Sequence, residues 1–224
     1  MLLANWMSKD VITITPDRSM MKASKIMKDK NISCLPVVDE EGRLVGIVSD
    51  RDIKDASPSK ATTLDMHELY YLLSEVKVKD IMTKKVVTMR EDETVEKAAV
   101  LMLENHFGSL PVVDEDNRVV GIMTDTDVFK VLVEITGVYE GGTQFCLQIG
   151  TGPGTLSPVL AFLKDHGARI MNIMTHNVPE NEGVKNVYIR IRDMEKPELK
   201  RLKADMEAQF NVIYWTVDPV HRVV

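Results

Sequence analysis

Two short stretches of the chain place a hydroxyl and a carboxylate three residues apart, Ser49-Asp50-Arg51-Asp52 and Thr124-Asp125-Thr126-Asp127. Each follows a glycine by three residues, Gly46 and Gly121, in a G-x-x-[ST]-x-x-D pattern that closes a strand-like run and opens a helical one. Where a strand hands over to a helix, free backbone N–H groups and the positive end of the helix dipole point outward, which suits an anion. The hydroxyl can donate to a phosphate oxygen, and the aspartate has two acceptor oxygens, the right chemistry for gripping the two hydroxyls of a ribose. The same spacing also makes a helix N-cap, with the hydroxyl on a helix amide and the acid in the first turn. On spacing alone both readings stand.

The surroundings of these stretches recur as well. Leu35-Pro36-Val37-Val38-Asp39-Glu40 returns as Leu110-Pro111-Val112-Val113-Asp114-Glu115, and Met7, Lys9, Val11 and Thr13 return as Met82, Lys84, Val86 and Thr88, always at an offset of 75. Each repeated unit is about 50 residues, too small to bury a comfortable core alone, so the two copies are expected to pack on each other. Within a copy the order reads as a short strand (Val11–Ile14; Val86–Met89), then a helix with apolar positions at helical spacing (Met20, Ala23, Met27; Val95, Ala98, Met102). Asp17 to Ser19 and Asp92 to Thr94 supply the caps. Strands over Leu35–Val38 and Leu44–Val48 follow, joined by the turn Asp39-Glu40-Glu41-Gly42, and a second helix begins near Ser49. The unit is β-α-β-β-α. Between the copies, Lys54 to Lys79 combines the breaker-rich Ala56-Ser57-Pro58-Ser59 with a capping-box spacing at Asp65 and Glu68. A stripe of Leu69, Leu72, Leu73 and Val76 follows, which reads as a loop and an accessory helix packed against the pair.

The glycine, the hydroxyl–acid pair, the Leu-Pro-Val-Val segment and the Thr-containing strand, recurring together, resemble the CBS domain. The pair, over roughly Met7 to Ile135, resembles a tandem CBS (Bateman) module. The resemblance implies a regulatory ligand, AMP, ADP, ATP or S-adenosylmethionine, in two clefts between the copies. It implies that Asp52 and Asp127 hold ribose and that Ser49 and Thr124 hold the phosphates. Adenine would be flanked by the segments at Thr13, Ser33 to Pro36 (Ser33, Cys34, Pro36), Thr88, and Ser109 to Pro111 (Ser109, Pro111). Arg51 is a further phosphate candidate; the second copy has Thr126 there, which implies unequal sites with a phosphorylated ligand in one.

After Ile135 the clustered glycines Gly137, Gly141 and Gly142 mark a linker and a new domain. Strands over Phe145–Ile149, Ile170–Met174, Val187–Ile191 and Val212–Val217 alternate with a helix carrying Leu156, Val159, Leu160 and Leu163 and one over Pro197–Phe210. The order β-α-β-β-α-β is that of the ferredoxin-like fold. With Pro153-Gly154-Thr155-Leu156 before its first helix and His166-Gly167-Ala168-Arg169-Ile170 after it, the segment is similar to ACT domains. That similarity implies an amino-acid site near the turn, with Gly154 and Arg169 as candidates; Gly154 also reads simply as a backbone turn residue. The resemblances imply an α+β and α/β fold class, with a first CBS unit expected over 1–57, a linker with accessory helix over 58–79, a second CBS unit over 80–136, and a ferredoxin-like ACT domain over 143–218. The whole arrangement resembles the acetoin-utilisation protein B-like regulators. Both families commonly pair, so a homodimer acting on an unidentified regulated protein is expected.

Other chemistry finds little support in the chain. A net charge of −6 gives no electrostatic footprint for DNA or RNA. The apolar runs Ala98–Leu103 and Leu2–Ala4 fall far short of the roughly 20 residues of a membrane span, and the N-terminus does not read as a secretory signal, so the cytoplasm is expected. Cys34 and Cys146 sit in apolar runs and read as buried thiols. His67, His106, His166, His176 and His221 have no ligand spacing to one another, and the methionines Met20, Met27, Met102 and Met206 fall on apolar helix faces. No nucleophile, phosphate loop or catalytic carboxylate pair stands in a convincing context, so a regulator with no catalytic cofactor is expected, with a non-binding assembly module or an amino-acid sensor as alternatives.

Overall fold

The computed structural model describes residues 1–57, 74–179 and 182–219. They form two units, Met1–Phe129 and Lys130–Val224. The accessory helix expected around Asp65 and Glu68 lies outside the described residues.

In the first unit each copy contributes a helix, an antiparallel hairpin and a second helix. The first copy runs α1 (Met20–Lys30), β1 (Cys34–Val38), β2 (Leu44–Ser49) and α2 (Asp50–Ala56). The second runs α3 (Val78–Ile81), α4 (Val95–Asn105), β3 (Ser109–Val113), β4 (Val119–Thr124) and α5 (Asp125–Thr136). The short α3 matches a 3-10 turn at Leu3–Asn5 in the first copy. Ser19 and Thr94 cap α1 and α4 by accepting from the N–H groups of Lys22 and Lys97. The same helices end on left-handed residues, Asn31 (φ 52°) and His106 (φ 57°), a conformation that Asn and His tolerate better than most side chains.

The expected first strands shrink to single parallel bridges, Ile14 with Val37 and Met89 with Val112. Proline is the reason. Ile14 N–H donates to the Pro36 carbonyl (3.0 Å) and Val38 N–H to the Ile14 carbonyl (2.9 Å), but Pro36 has no N–H with which to continue the ladder towards Val11. Pro111 interrupts the second copy in the same way, accepting from Met89 N–H at 3.1 Å.

The copies interlock by reciprocal hydrogen bonds that repeat at the 75-residue offset. Ile47 and Thr83 exchange both backbone bonds (3.0 and 2.9 Å), as do Ile122 and Ser8 (3.0 Å each). Leu3 N–H donates to Glu93 O and, equivalently, Val78 N–H to Arg18 O, both at 2.8 Å. On the pseudo-twofold axis a residue therefore meets its own counterpart, Cys34 Sγ with Ser109 Oγ at 2.9 Å and Arg43 with Arg118 in a backbone bridge. Val78 at the start of the second copy is buried in the first copy's core with Ile14, Ala23, Met27, Leu35, Val37 and Val48, so the first copy does not complete its core alone.

The second unit runs β5 (Gly142–Gly150), α6 (Ser157–Asp165), β6 (Ile170–Asn177), β7 (Val184–Ile191), α7 (Lys196–Gln209) and β8 (Asn211–Asp218). Its antiparallel sheet has the order β6-β7-β5-β8, the ferredoxin-like topology. Alternate residues Phe145, Leu147, Val187 and Ile189 face Val159, Leu163, Leu202 and Met206 of the two helices across one core. The helix α5 begins in the first unit and ends in residues of the second.

Candidate functional site

The local geometry around Ser49 follows from the turn between β2 and α2. Asp52 Oδ2 accepts from Ser49 N–H and from Ser49 Oγ–H, both at 2.7 Å, and Asp52 N–H donates to Ser49 Oγ at 3.2 Å. Thr124 and Asp127 reproduce this at the start of α5, with distances of 3.1, 2.7 and 3.2 Å. The reciprocal cap anticipated from spacing is therefore built, and it fixes the carboxylates of Asp52 and Asp127 while Oδ1 of each stays outside the box. It also occupies the hydroxyl hydrogen of Ser49 and Thr124, which must swing away before either can donate to a phosphate.

Gly46 serves packing. A Cβ there would stand 2.5 Å from Met82 Sδ and 3.1 Å from the Thr83 carbonyl, so glycine is what lets the second copy's segment lie against β2. Gly121 meets Met7 Sδ in the same way, at 2.3 Å.

That close approach creates a cleft of about 310 Å³ between the copies, lined from the first copy by Ser33, Cys34, Ile47 and Ser49 to Asp52. Thr83, Lys85, Val86, Val87 and the run His106 to Ser109 line it from the second. The volume lies at the small end of the roughly 300–1,000 Å³ typical of ligand sites, enough for one nucleoside-sized molecule. Ile47, Val86, Val87 and Phe107 offer apolar walls for a flat base, and Asp52 offers the carboxylate for a diol. Arg51, Lys85 and His106 bring positive or protonatable groups. Asp50, also in the lining, is held by Lys54 at 2.7 Å, whereas among the described residues neither Arg51 nor Lys85 is in an ion pair. Burial pushes the Cys34 thiol up, partly offset by its hydrogen bond to Ser109 and reinforced by the nearby charge of Asp50.

Of the residues singled out by sequence, Ser33, Cys34, Ser49, Arg51, Asp52 and Ser109 come together in this cleft. Thr13 and Thr88 are half-buried beside the single bridges and lie outside its lining. Pro36 and Pro111 are buried in the hairpins, where they cut the ladder, and they lie outside the lining of this cleft. Gly154 (φ 78°) is an open turn residue before α6, and Arg169 is exposed after it. The nine residues of α6, about 13 Å of helix, lie between the two along the chain. Lys85, His106 and Phe107 escaped sequence reasoning because they approach Ser49 only through the interlock. Among the described residues no cluster of His, Cys, Asp and Glu is placed to hold a metal ion, and no helix is long and apolar enough to cross a membrane.

The model of the CBS domain matches residues 3–59 and again 78–134. The chain belongs to the CBS-domain family, as a tandem pair. Over 122 residues the pair is 43% identical to an inosine-5'-monophosphate dehydrogenase of Methanocaldococcus jannaschii, covering 54% of this chain and 22% of that enzyme. It is 34% identical over 134 residues to a CBS domain-containing protein of Dictyostelium discoideum, covering 60% of this chain and 92% of that protein. The chain spans less than a quarter of the length of the enzymes it matches, and the part matched is the CBS pair. Among solved structures, the pair is similar to the CBS domain pair of protein MJ0100 in complex with 5'-methylthioadenosine and S-adenosyl-L-methionine. That match has 35% identity and TM-score 0.50, covering 60% of this chain and 97% of that one. It is likewise similar to CBSX2 in complex with AMP (32%, TM-score 0.50, 60% and 98%). A Vibrio cholerae protein assigned to acetoin utilization, AcuB, matches at 25% identity and TM-score 0.52, covering 62% and 96%.

Proposed function

We propose that this CBS pair is a regulatory sensor for an adenine nucleotide, bound in the cleft between Ser49–Asp52 of the first copy and Thr83–Val87 with His106–Ser109 of the second. The observation that carries the reading is the joining, in one nucleoside-sized cleft, of a fixed carboxylate (Asp52), apolar walls and cationic side chains from both copies. The ligands named for similar pairs, AMP in one and S-adenosyl-L-methionine with 5'-methylthioadenosine in another, support it. A ligand touching both copies is sensitive to how they close on each other. The helix α5, which starts at the second copy's Thr124–Asp127 cap and runs into residues of the second unit, is the output. A coupling of about 1–3 kcal/mol makes such a switch useful.

The ferredoxin-like unit is read as an ACT-like domain for self-association or output. The edge strand β8, which among the described residues pairs only with β5 and exposes Ile213 and Val217, is the surface that carries a second copy of the chain. In this reading the protein is a non-catalytic homodimer acting on another protein, in the cytoplasm, and the likeness to AcuB supports a role in acetoin utilisation. The reciprocal cap favours a second reading, in which Ser49–Asp52 and Thr124–Asp127 are purely structural and the pair is an assembly module.

Thermal unfolding of the nucleotide-free protein against AMP, ADP, ATP, S-adenosylmethionine and each amino acid separates these readings. A ligand at 100 times its Kd adds about 2.7 kcal/mol. The sensor predicts a rise with an adenine ligand that disappears in Asp52→Asn, while that variant alone loses at most about 1 kcal/mol of cap stability. No response to any adenine compound leaves the assembly module, and a response to an amino acid that survives Asp52→Asn points to the ACT-like unit.

A further inference from the structure

The two ends of the cleft come from different copies, and their charges do not repeat at the 75-residue offset. Arg51, Lys85 and His106 line the cleft, whereas the backbone-equivalent positions on the opposite side of the pseudo-twofold axis hold Thr126, Asp10 and Asn31. The backbone itself does repeat: Asp50 N–H donates to Ser33 O at 2.8 Å and Asp125 N–H to Gly108 O at 3.0 Å, and the Ile47–Thr83 bonds recur as Ile122–Ser8. The difference therefore lies in the side chains. His106 and Asn31 occupy matching left-handed positions at the ends of α4 and α1, each fixed by a backbone bond to the preceding turn.

A phosphate in the cleft needs a counter-charge, and the start of α2 is a poor source of one. That helix has only seven residues, its first turn carries Asp50 and Asp52, and its cap is already closed by Ser49 and Asp52. The remaining side chains able to donate to a phosphate through nitrogen are Arg51 and, from the second copy, Lys85 and His106.

Resting on the nucleotide reading above, we propose that Lys85 and His106 of the second copy, with Arg51, are the phosphate-reading residues, so that a chain binds one phosphorylated ligand and not two. The phosphate then ties the second copy to a nucleoside held by the first. At the equivalent position the carboxylate of Asp10 repels what Lys85 attracts.

Titration calorimetry of the full nucleotide-free chain with AMP and, separately, with adenosine tests this in wild type, Lys85→Met and His106→Asn. Both side chains are exposed, so the substitutions leave the fold intact, and Asn suits the left-handed position. The expected result is one AMP per chain, bound more tightly than adenosine, with each variant lowering AMP affinity about tenfold. Adenosine affinity should stay within about twofold. Two AMP per chain, equal wild-type affinity for AMP and adenosine, or a parallel loss of both in the variants overturns the assignment while the nucleotide reading survives. Binding of neither compound to wild type removes both.

Discussion

The close approach at Gly46 makes a sharp mechanical prediction. Adding a methyl group there places it 2.5 Å from Met82 Sδ and 3.0 Å from Met82 Cγ, distances that atoms do not hold. The Met82 side chain is flexible and can withdraw, but withdrawal opens a gap beneath it, and the Thr83 carbonyl 3.1 Å away must also shift by a few tenths of an ångström. Overpacking of this kind costs about 1–3 kcal/mol, and because the nearest atoms belong to a pliable thioether Gly46→Ala falls in the lower half, about 1.5 kcal/mol. For a unit of this size that lowers the midpoint by roughly 5–8 °C. Met82→Ala removes the two closest atoms, so the double variant should be more stable than the sum of the single changes by about 1 kcal/mol. Urea unfolding in a Trp215→Phe background reads the first unit alone, since Trp6 then remains as its reporter. Additive single and double variants, or a Gly46→Ala protein stabilised by the roughly 0.5 kcal/mol that reduced backbone entropy alone provides, would refute the interlock argument.

Three further predictions concern charges and thiols. His166 Nε2 lies 3.1 Å from Asp205 Oδ2, and this bond, helped by the Phe162 carbonyl, raises the imidazole pKa above its ordinary 6.5. The resulting stability is complete below pH 6.5 and fades as pH rises through the higher folded value, so the second unit should melt progressively lower above pH 6.5, and His166→Gln should flatten that slope. Arg190 is 3% exposed and donates to Asp218 (2.8 Å), Gln144 (3.0 Å) and the Gly141 carbonyl (3.1 Å). Asp218→Ala leaves that buried charge short of a partner and should cost the second unit about 2–4 kcal/mol by urea unfolding; a loss under about 1 kcal/mol would contradict the account. Cys34, buried with its thiol pushed up, should react with iodoacetamide at pH 7 many times more slowly than in urea-unfolded protein, and equal rates would count against the geometry.

The repeat was legible because residues that face the hairpin core, Leu35-Pro36-Val37-Val38 and its counterpart, must recur for the backbone to recur. The hydroxyl–acid pairs were legible for the same reason, although spacing could not distinguish a cap from a ligand grip, and the structure shows the cap. What misled was residue type: Val11 to Ile14 is rich in strand-favouring β-branched residues, yet the missing N–H of Pro36 leaves it one bridge. Gly46 looked like part of an anion-binding turn because a glycine needed for close packing and one needed near a phosphate are indistinguishable in one dimension. Lys85 and His106 lay hidden because only the crossing of the copies brings them to Ser49. The signal that could have found them is the offset itself, since it sets Lys85 against Asp10 and His106 against Asn31 at positions whose backbone is shared. In the second unit the strand order follows from the βαββαβ sequence, while the separation of Gly154 and Arg169 along α6 emerges only when the helix is counted out in ångströms.

The central claim is that an adenine nucleotide occupies the cleft between the two copies, and backbone amide NMR of the isotope-labelled full chain titrated with AMP tests it most directly. The account predicts saturable shifts confined mainly to Ser33–Cys34, Ser49–Asp52, Thr83–Val87 and His106–Ser109, absent in Asp52→Asn. No shifts, or shifts centred on the turn at Gly152–Gly154 of the second unit, would contradict it.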